Sequence, residues 1–211
     1  MTSDLHIHPL EHKYYFAMTE GFSKIVLDDE DKRAIREVVD WCLHIRGLNA
    51  IALTDHDMIQ ASLYAAEYVK EAALPIEIIT GAECSVCDPH TDMEYDEIHL
   101  LCLGIDKLPK YNSRTPVDKL TKEVHELGGY VIMSHPIQYP QSFSRYCHLL
   151  DGYERRNSNK QPFEAEKVYS NLRTLPIQAY NNSDFHYTGK FPAACAEGLQ
   201  SNYYEGRVLH R

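Results

Sequence analysis

Ala50-Ile51-Ala52-Leu53-Thr54-Asp55-His56-Asp57 opens on an apolar run and closes on two carboxylates flanking an imidazole. An apolar run without polar alternation is the pattern of a strand buried on both faces, as in parallel sheets. Its polar residues fall just past the strand. In α/β barrels the catalytic groups sit at the carboxyl ends of the strands. The fold and the chemistry are therefore read from the same eight positions.

Short histidine- and carboxylate-bearing motifs return along the chain, most of them just after an apolar run. They are Asp4-Leu5-His6-Ile7-His8, Gly81-Ala82-Glu83, Ile98-His99-Leu100-Leu101, Met133-Ser134-His135-Pro136, Asp151-Gly152-Tyr153-Glu154 and Ser183-Asp184-Phe185-His186. Strands are predicted over 4–7, 50–54, 76–80, 98–103, 130–133, 149–153 and 177–180. Between them lie helical patterns. Ala34, Ile35, Val38, Val39, Cys42 and Ile45 share one face of a helix over 31–46, stopped by Gly47. Ile59, Leu63, Ala66 and Val69 mark a second helix, which Asp57 is placed to cap and Pro75 ends. Thr115-Pro116 opens a third, with Val117, Leu120, Val124 and Leu127 before Gly128-Gly129. A fourth is expected over 162–174. Residues 9–30 form a long loop of the kind that is usually functional, 84–97 a polar loop, and 187–211 an irregular tail. Alternating strands and helices give an α/β barrel or an open sheet.

With 211 residues and no repeat or linker, the chain is expected to be one domain over 1–211. No apolar run approaches a membrane span, and the start is not that of a signal peptide, so a cytoplasmic protein with no membrane contact is expected. The net charge of −10 argues against a large nucleic-acid-binding face. It leaves room for a phosphorylated substrate, because bound metal ions would make the site locally positive. Cys84-Ser85-Val86-Cys87 has no second pair, so it is read as two structural thiols rather than a zinc ribbon.

The motifs differ in strength when taken one at a time. His6 and His8, two apart on a strand, point to the same side and can grip one ion, with Asp4 available to orient an imidazole. Glu83, at a buried strand end, is costly unless paired or metal-bound, and a carboxylate can bridge two cations. His99 alone would be a core histidine. His135 precedes Pro136, and Asp184 with His186 repeat the same-side pair. His44, His90, His125, His148 and His210 lie outside this pattern.

In this order the motifs resemble the PHP family, the polymerase and histidinol phosphatase domain, over 4–186. The resemblance implies a distorted seven-stranded β/α barrel, TIM-like, with up to three divalent ions at one mouth. By that resemblance a first ion takes His6, His8, Glu83 and Asp184, and a second shares Glu83 and adds His99 and His135. A third takes His56, His186 and one ligand from the loop after the first strand. The family commonly follows its His-x-His with a Thr and then Ser-Asp-Gly or a third His. This chain has Pro9-Leu10-Glu11-His12-Lys13, so His12 is the candidate, with Glu11 and Glu20 behind it. Glu154, followed by Asn157, matches the family's Asp-Gly-Ile-Glu stretch and is given a supporting role.

Such a cluster suits hydrolysis of a phosphoester by a metal-activated hydroxide, since adjacent ions acidify water and neutralise phosphoryl oxygens. Zinc, manganese and iron all accept imidazole and carboxylate ligands. Asp55 is a candidate acid for the leaving group, while Arg145, Arg155, Arg156 and Lys13 are candidates for approaching the substrate. The short stretch between His135 and Asp184 leaves no room for a large cap, which favours a small phosphomonoester. A nuclease or nucleotide phosphatase on short substrates is the alternative. Two further classes are an amidohydrolase, which also begins with His-x-His but often bridges its metals with a modified lysine, and a non-catalytic metal-binding module.

Overall fold

The computed structural model describes residues 2–10, 25–91, 97–164, 177–191 and the backbone of 202–203. The chain opens on β1 (Thr2–His8) and continues through α1 (Asp29–His44), β2 (Ala50–Leu53), α2 (Gln60–Glu71) and β3 (Glu77–Ile78). Next come β4 (Gly81–Cys87), β5 (Glu97–Leu103), α3 (Val117–Glu126) and β6 (Tyr130–Met133). A 3-10 turn (Pro136–Gln138) leads into α4 (Pro140–Tyr146), and β7 (Gly152–Asn157), β8 (Gln178–Asn182), β9 (Phe185–His186) and β10 (Asn202–Tyr203) follow.

Two sheets result. In the first the order is β10-β1-β2-β3, with β9 also paired to β1; in the second it is β4-β5-β6-β7-β8. A core of Leu5, Ala50, Ala52, Ile79, Leu101, Leu103, Ile132 and Tyr180 draws from both sheets and fills the space between them. Outside, α1 and α2 pack Ile35, Val39, Cys42 and Ala65 against Ile51 and Leu53. On the other side α3 and α4 pack Leu120, Val124 and Phe143 against Leu100, Val131 and Tyr153. Among the described residues no ladder closes these sheets into the expected seven-stranded ring. They meet instead at a seam, where Glu83 N–H donates to Thr54 O (3.2 Å) and Asp57 N–H donates to Glu83 O (2.7 Å).

Several expectations need correcting: the strand expected over 149–153 lies instead at Gly152–Asn157, and the tail expected to be irregular over 187–211 contributes β10. The polar loop over 84–97 begins later, because β4 runs on through Cys87. Cys84 and Val86 point into the core while Ser85 faces the other way, the period-two alternation of a strand. The strand pairs antiparallel with β5, placing Ser85 opposite His99 and Glu83 opposite Leu101. Asp57 does not cap α2. The N-cap is Ile59, and Asp57 adopts φ +51° with its carboxylate accepting from Ser85 N–H (2.8 Å) and Tyr111 O–H (2.5 Å). The strand expected over 76–80 shortens to the two residues of β3. Finally, α1 starts two residues early. Asp28 caps it, accepting from the Glu30 and Asp31 amides, and the Asp31 side chain answers the Asp28 N–H (3.0 Å), a capping box built from two aspartates. Most of the helix expected over 162–174 lies outside the described residues.

Gly152 is fixed by close approach. A Cβ there would lie 2.4 Å from Tyr180 Cε2 and 2.9 Å from Gln178 O, so only glycine lets β7 and β8 pair.

Candidate metal centre

Glu83 stands at the middle of the imidazoles. Its Oε2 lies 3.0 Å from His6 Nε2, 3.3 Å from His8 Nε2 and 3.3 Å from His56 Nε2. Its Oε1 lies 3.4 Å from His135 Nε2 and 3.6 Å from His99 Nδ1. Asp184 closes another side, with Oδ1 3.3 Å from His6 Nε2, 3.4 Å from His8 Nε2 and 3.7 Å from His186 Nδ1. Three sets of donor atoms fall within 4.8 Å of one another: His6, His8 and Glu83; His8, Asp184 and His186; and His56, Glu83 and His99.

Both sheets contribute. The first supplies His6, His8, His56 and His186 from β1, β9 and the turn after β2; the second supplies Glu83 from β4, His99 from β5 and His135 past β6. Glu83 and His99 are thus not at parallel strand ends. They are brought side by side by the antiparallel pairing of β4 and β5. The turn residues are held in costly backbone shapes: Asp57, His135 and Asp184 all have positive φ, at +51°, +30° and +54°.

Most of these separations are longer than a good hydrogen bond. They match the edge of a tetrahedron of ligands around a zinc-sized ion, roughly 3.4 Å for bonds of about 2.1 Å. Glu83 Oε1, on a buried side chain, has no hydrogen-bond partner among the described residues. A buried carboxylate oxygen without a donor is expensive, and a cation between it and the facing ring nitrogens removes that cost. The donor set therefore fits divalent metal.

The electrostatics agree. Burial opposes charge on Glu83, yet His6, His56, His99 and His135 together hold its carboxyl well below the usual range. Asp184 is likewise lowered against its burial, by His6 and His8. Burial disfavours a charged His8, but Asp184 and Glu83 push it up to about 10, and Glu83, Glu154 and Asp184 raise His6 well above its ordinary value. His99 is pushed down to about 4, chiefly by burial, with Glu83 opposing and the neighbouring His135, His6 and His8 adding to the fall. The carboxylates thus favour positive charge at His6 and His8, the kind of charge a bound cation would supply.

Behind the ring nitrogens is a second layer of contacts. Glu154, from β7, sets Oε1 2.8 Å from His6 Nδ1 and accepts from Asn182 Nδ2 (2.8 Å). Its Oε2 accepts from the His135 amide (2.9 Å) and from Asn157 Nδ2 (3.0 Å). Glu154 orients His6, the task expected of Asp4. Asp4 is instead committed to Arg46 (2.5 Å) and the Ser183 amide (3.0 Å). Asp55 Oδ1 accepts from the Leu10 amide (2.8 Å), fixing the chain just past His8. Asp151 works far from the cluster, joining His125 Nε2 (2.7 Å) to the Val131 amide (2.8 Å).

The arginines expected near substrate are placed differently. Arg145 pairs with Asp88 (2.9 Å), a buried carboxylate that also accepts from Ser142, Tyr146 and the His90 amide. Arg155 is exposed on β7 beside Asn181, and Arg156 is exposed next to it. His12, Lys13, Glu11 and Glu20 lie outside the described residues. Sequence reasoning missed Asn182, Asp88 and Tyr139, whose residue types carry no signal until the strands are paired. A cavity of about 1020 Å³ lies between the start of α2 and the β5–α3 connection, walled by Asp57, Leu63, Tyr111 and Lys119. None of the clustered imidazoles lines it.

The fold and site define a two-sheet α/β scaffold carrying a carboxylate-centred histidine cluster. No family model matches the sequence, and no curated protein sequence matches it. Solved structures do match. One is a two-domain protein from Bacteroides vulgatus containing a predicted PHP-like metal-dependent phosphoesterase, at 17% identity and TM-score 0.54 over 88% of this chain. This chain spans about half (52%) of that protein's length. A second, from Bifidobacterium adolescentis, is described as a metal-dependent phosphoesterase by assignment; it is 15% identical, with TM-score 0.61, covering 93% of this chain and 91% of its own. A third, an amidohydrolase from Chromobacterium violaceum with bound sulfate and no metal, is 14% identical with TM-score 0.61, covering 96% and 92%. The fold is that of PHP-like metal-dependent phosphoesterase structures; at these identities the likeness is one of fold. Among the described residues no helix is long and apolar enough to cross a membrane.

Proposed function

We propose that this chain is a metal-dependent phosphoesterase acting on a small phosphomonoester, with two or three divalent ions of zinc, manganese or iron. The observation that carries the reading is Glu83, whose two oxygens face different imidazoles: His6, His8 and His56 on Oε2, His99 and His135 on Oε1. A carboxylate so placed could hold two cations, one toward each set of imidazoles. Asp184 and His186 extend the set on the His8 side. His56 lies with Glu83 and His99, so its place beside His186 in a third site, implied by family likeness, becomes a shared role.

Bound ions would supply an acidified water and positive charge for the phosphoryl oxygens. The chain's own residues do the positioning. Glu154 fixes the His6 ring from Nδ1, leaving Nε2 toward Glu83 and Asp184. Asp55 holds the backbone beyond His8. Neutral imidazole ligands would leave most of the charge of bound ions uncompensated, so the loaded pocket would attract a phosphate despite the acidic chain. The free thiols Cys42, Cys84, Cys87, Cys102 and Cys147 suit a reducing compartment such as the cytoplasm.

Amide hydrolysis is the second reading, favoured by the Chromobacterium violaceum neighbour. The central group here is a glutamate rather than a modified lysine, which favours phosphoester chemistry. The test is metal-depleted protein reconstituted with zinc, manganese or iron and offered a phosphomonoester panel, a dinucleotide and an N-acyl amino acid. Turnover of a phosphomonoester that needs added metal and is lost in Glu83→Gln is expected. Full phosphatase activity in both chelated protein and Glu83→Gln would sink the proposal, and turnover of the N-acyl amino acid alone would replace it.

A further inference from the structure

Tyr139 is the buried aromatic residue four positions beyond His135, and its hydroxyl is engaged in three directions. It lies 2.7 Å from Ser134 O, 3.1 Å from the His99 amide nitrogen and 3.0 Å from His135 Nδ1. A phenol has one proton to give and two lone pairs to receive. Ser134 O is a carbonyl and can only accept, so the short contact there takes the phenolic proton. The His99 N–H uses one lone pair. The remaining lone pair faces His135 Nδ1, which must therefore bring its own hydrogen.

From this count we infer that Tyr139 is a positioning residue that fixes His135 as the Nδ1–H tautomer and turns a bare Nε2 toward Glu83. The inference rests on the metal-centre reading proposed above. His135 Nε2 then faces Glu83 Oε1 at 3.4 Å with no hydrogen between them, two acceptors that a cation reconciles. The backbone cooperates. His135 is held at φ +30° and ψ +56°, an unusual shape for a residue before proline, and the 3-10 turn over Pro136–Gln138 brings Tyr139 back onto the ring. The same hydroxyl grips the His99 amide, so one side chain sets the relative placement of two candidate ligands. Ring nitrogens that face away from a metal are commonly fixed by a carboxylate or carbonyl, and losing such a partner typically costs about 10–100-fold in metal affinity. Here a phenol takes that position.

The test uses full-length protein with ¹⁵N-labelled histidine, loaded with zinc, read by histidine ring ¹⁵N–¹H correlation and by competition with a chelator. Wild type is expected to show His135 protonated at Nδ1 and coordinated through Nε2. In Tyr139→Phe the chelator should remove an ion at about 10–100-fold lower concentration, and the His135 ring should no longer be held in one tautomer. Hydrogen on Nε2 of zinc-loaded wild type, or on both nitrogens, overturns the inference even if Tyr139→Phe fails to fold. So does a variant with unchanged zinc affinity and unchanged His135 signals. Wild type that binds no zinc, manganese or iron instead overturns the metal-centre reading on which it stands.

Discussion

Replacing Glu154 by Gln exchanges one carboxylate oxygen for an amide in a site that has only donors to offer. Oε1 receives His6 Nδ1 and Asn182 Nδ2; Oε2 receives the His135 amide and Asn157 Nδ2. Whichever way the Gln amide turns, its NH₂ faces two donors. The asparagines cannot flip to rescue it. Asn182 Oδ1 is held by the Leu5 amide (3.1 Å) and Asn157 Oδ1 by the Asn159 amide (2.9 Å). His6 alone can adapt, by giving up its Nδ1 hydrogen, but the proton then sits on Nε2, where the metal would bind. At about 1–3 kcal/mol for each buried donor left unsatisfied, two donors put the loss at roughly 2–6 kcal/mol. Metal affinity should fall about 10–100-fold. Urea unfolding of metal-free wild type and Glu154→Gln measures the first, and chelator competition the second. A variant within about 0.5 kcal/mol of wild type, the range of an ordinary surface change, with normal affinity, would refute this account of how His6 is held.

Other outcomes follow from the same structure. Gly152→Ala should cost about 1–3 kcal/mol by overpacking against Tyr180 and the Gln178 carbonyl, read as a lowered melting temperature. Burial works against a charged Asp88, but the His90 amide, Ser142, Tyr146 and Arg145 hold its carboxyl below the ordinary value. Its contribution is therefore complete above the unfolded carboxylate value of about 3.9 and fades as pH drops through the folded one. Asp88→Asn should cost about 1.5–3 kcal/mol at pH 7, and the gap from wild type should shrink in urea melts below pH 4. A divalent ion at about 100 times its dissociation constant should stabilise the native chain by about 2.7 kcal/mol, and Glu83→Gln should abolish that shift in thermal melts.

Much of the site was legible because its residues advertise themselves. His56 and His135 follow apolar runs, and a polar group next to such a run needs a reason to be there. His6 with His8, and Asp184 with His186, carry another signal, two donors spaced to share one side of an extended chain. The helices over α1 and α3 were legible from their apolar stripes, down to Ile35, Val38 and Leu120. What stayed hidden depends on pairing. Glu83 and His99 come together only because β4 and β5 are antiparallel, and a buried run such as Ile98–Leu103 reads alike in either direction. Asp57 looked like a helix cap because Asp is a good one; only the fold reveals the Ser85 amide and the Tyr111 hydroxyl that claim it. Tyr139 and Asn182 are residue types that serve many purposes, and their roles exist only in three dimensions.

The two sheets differ in how they are written along the chain. Every strand of the second, β4 to β8, lies within one continuous stretch, whereas the first joins β1, β2 and β3 to β9 and β10 from the far end. The second sheet therefore forms from pairings between segments near one another in sequence, whereas β1 pairs with β9 across nearly the whole described chain. Pairings of such long sequence separation are slow to form, and the candidate donors His8 and His186 come side by side only when that one does.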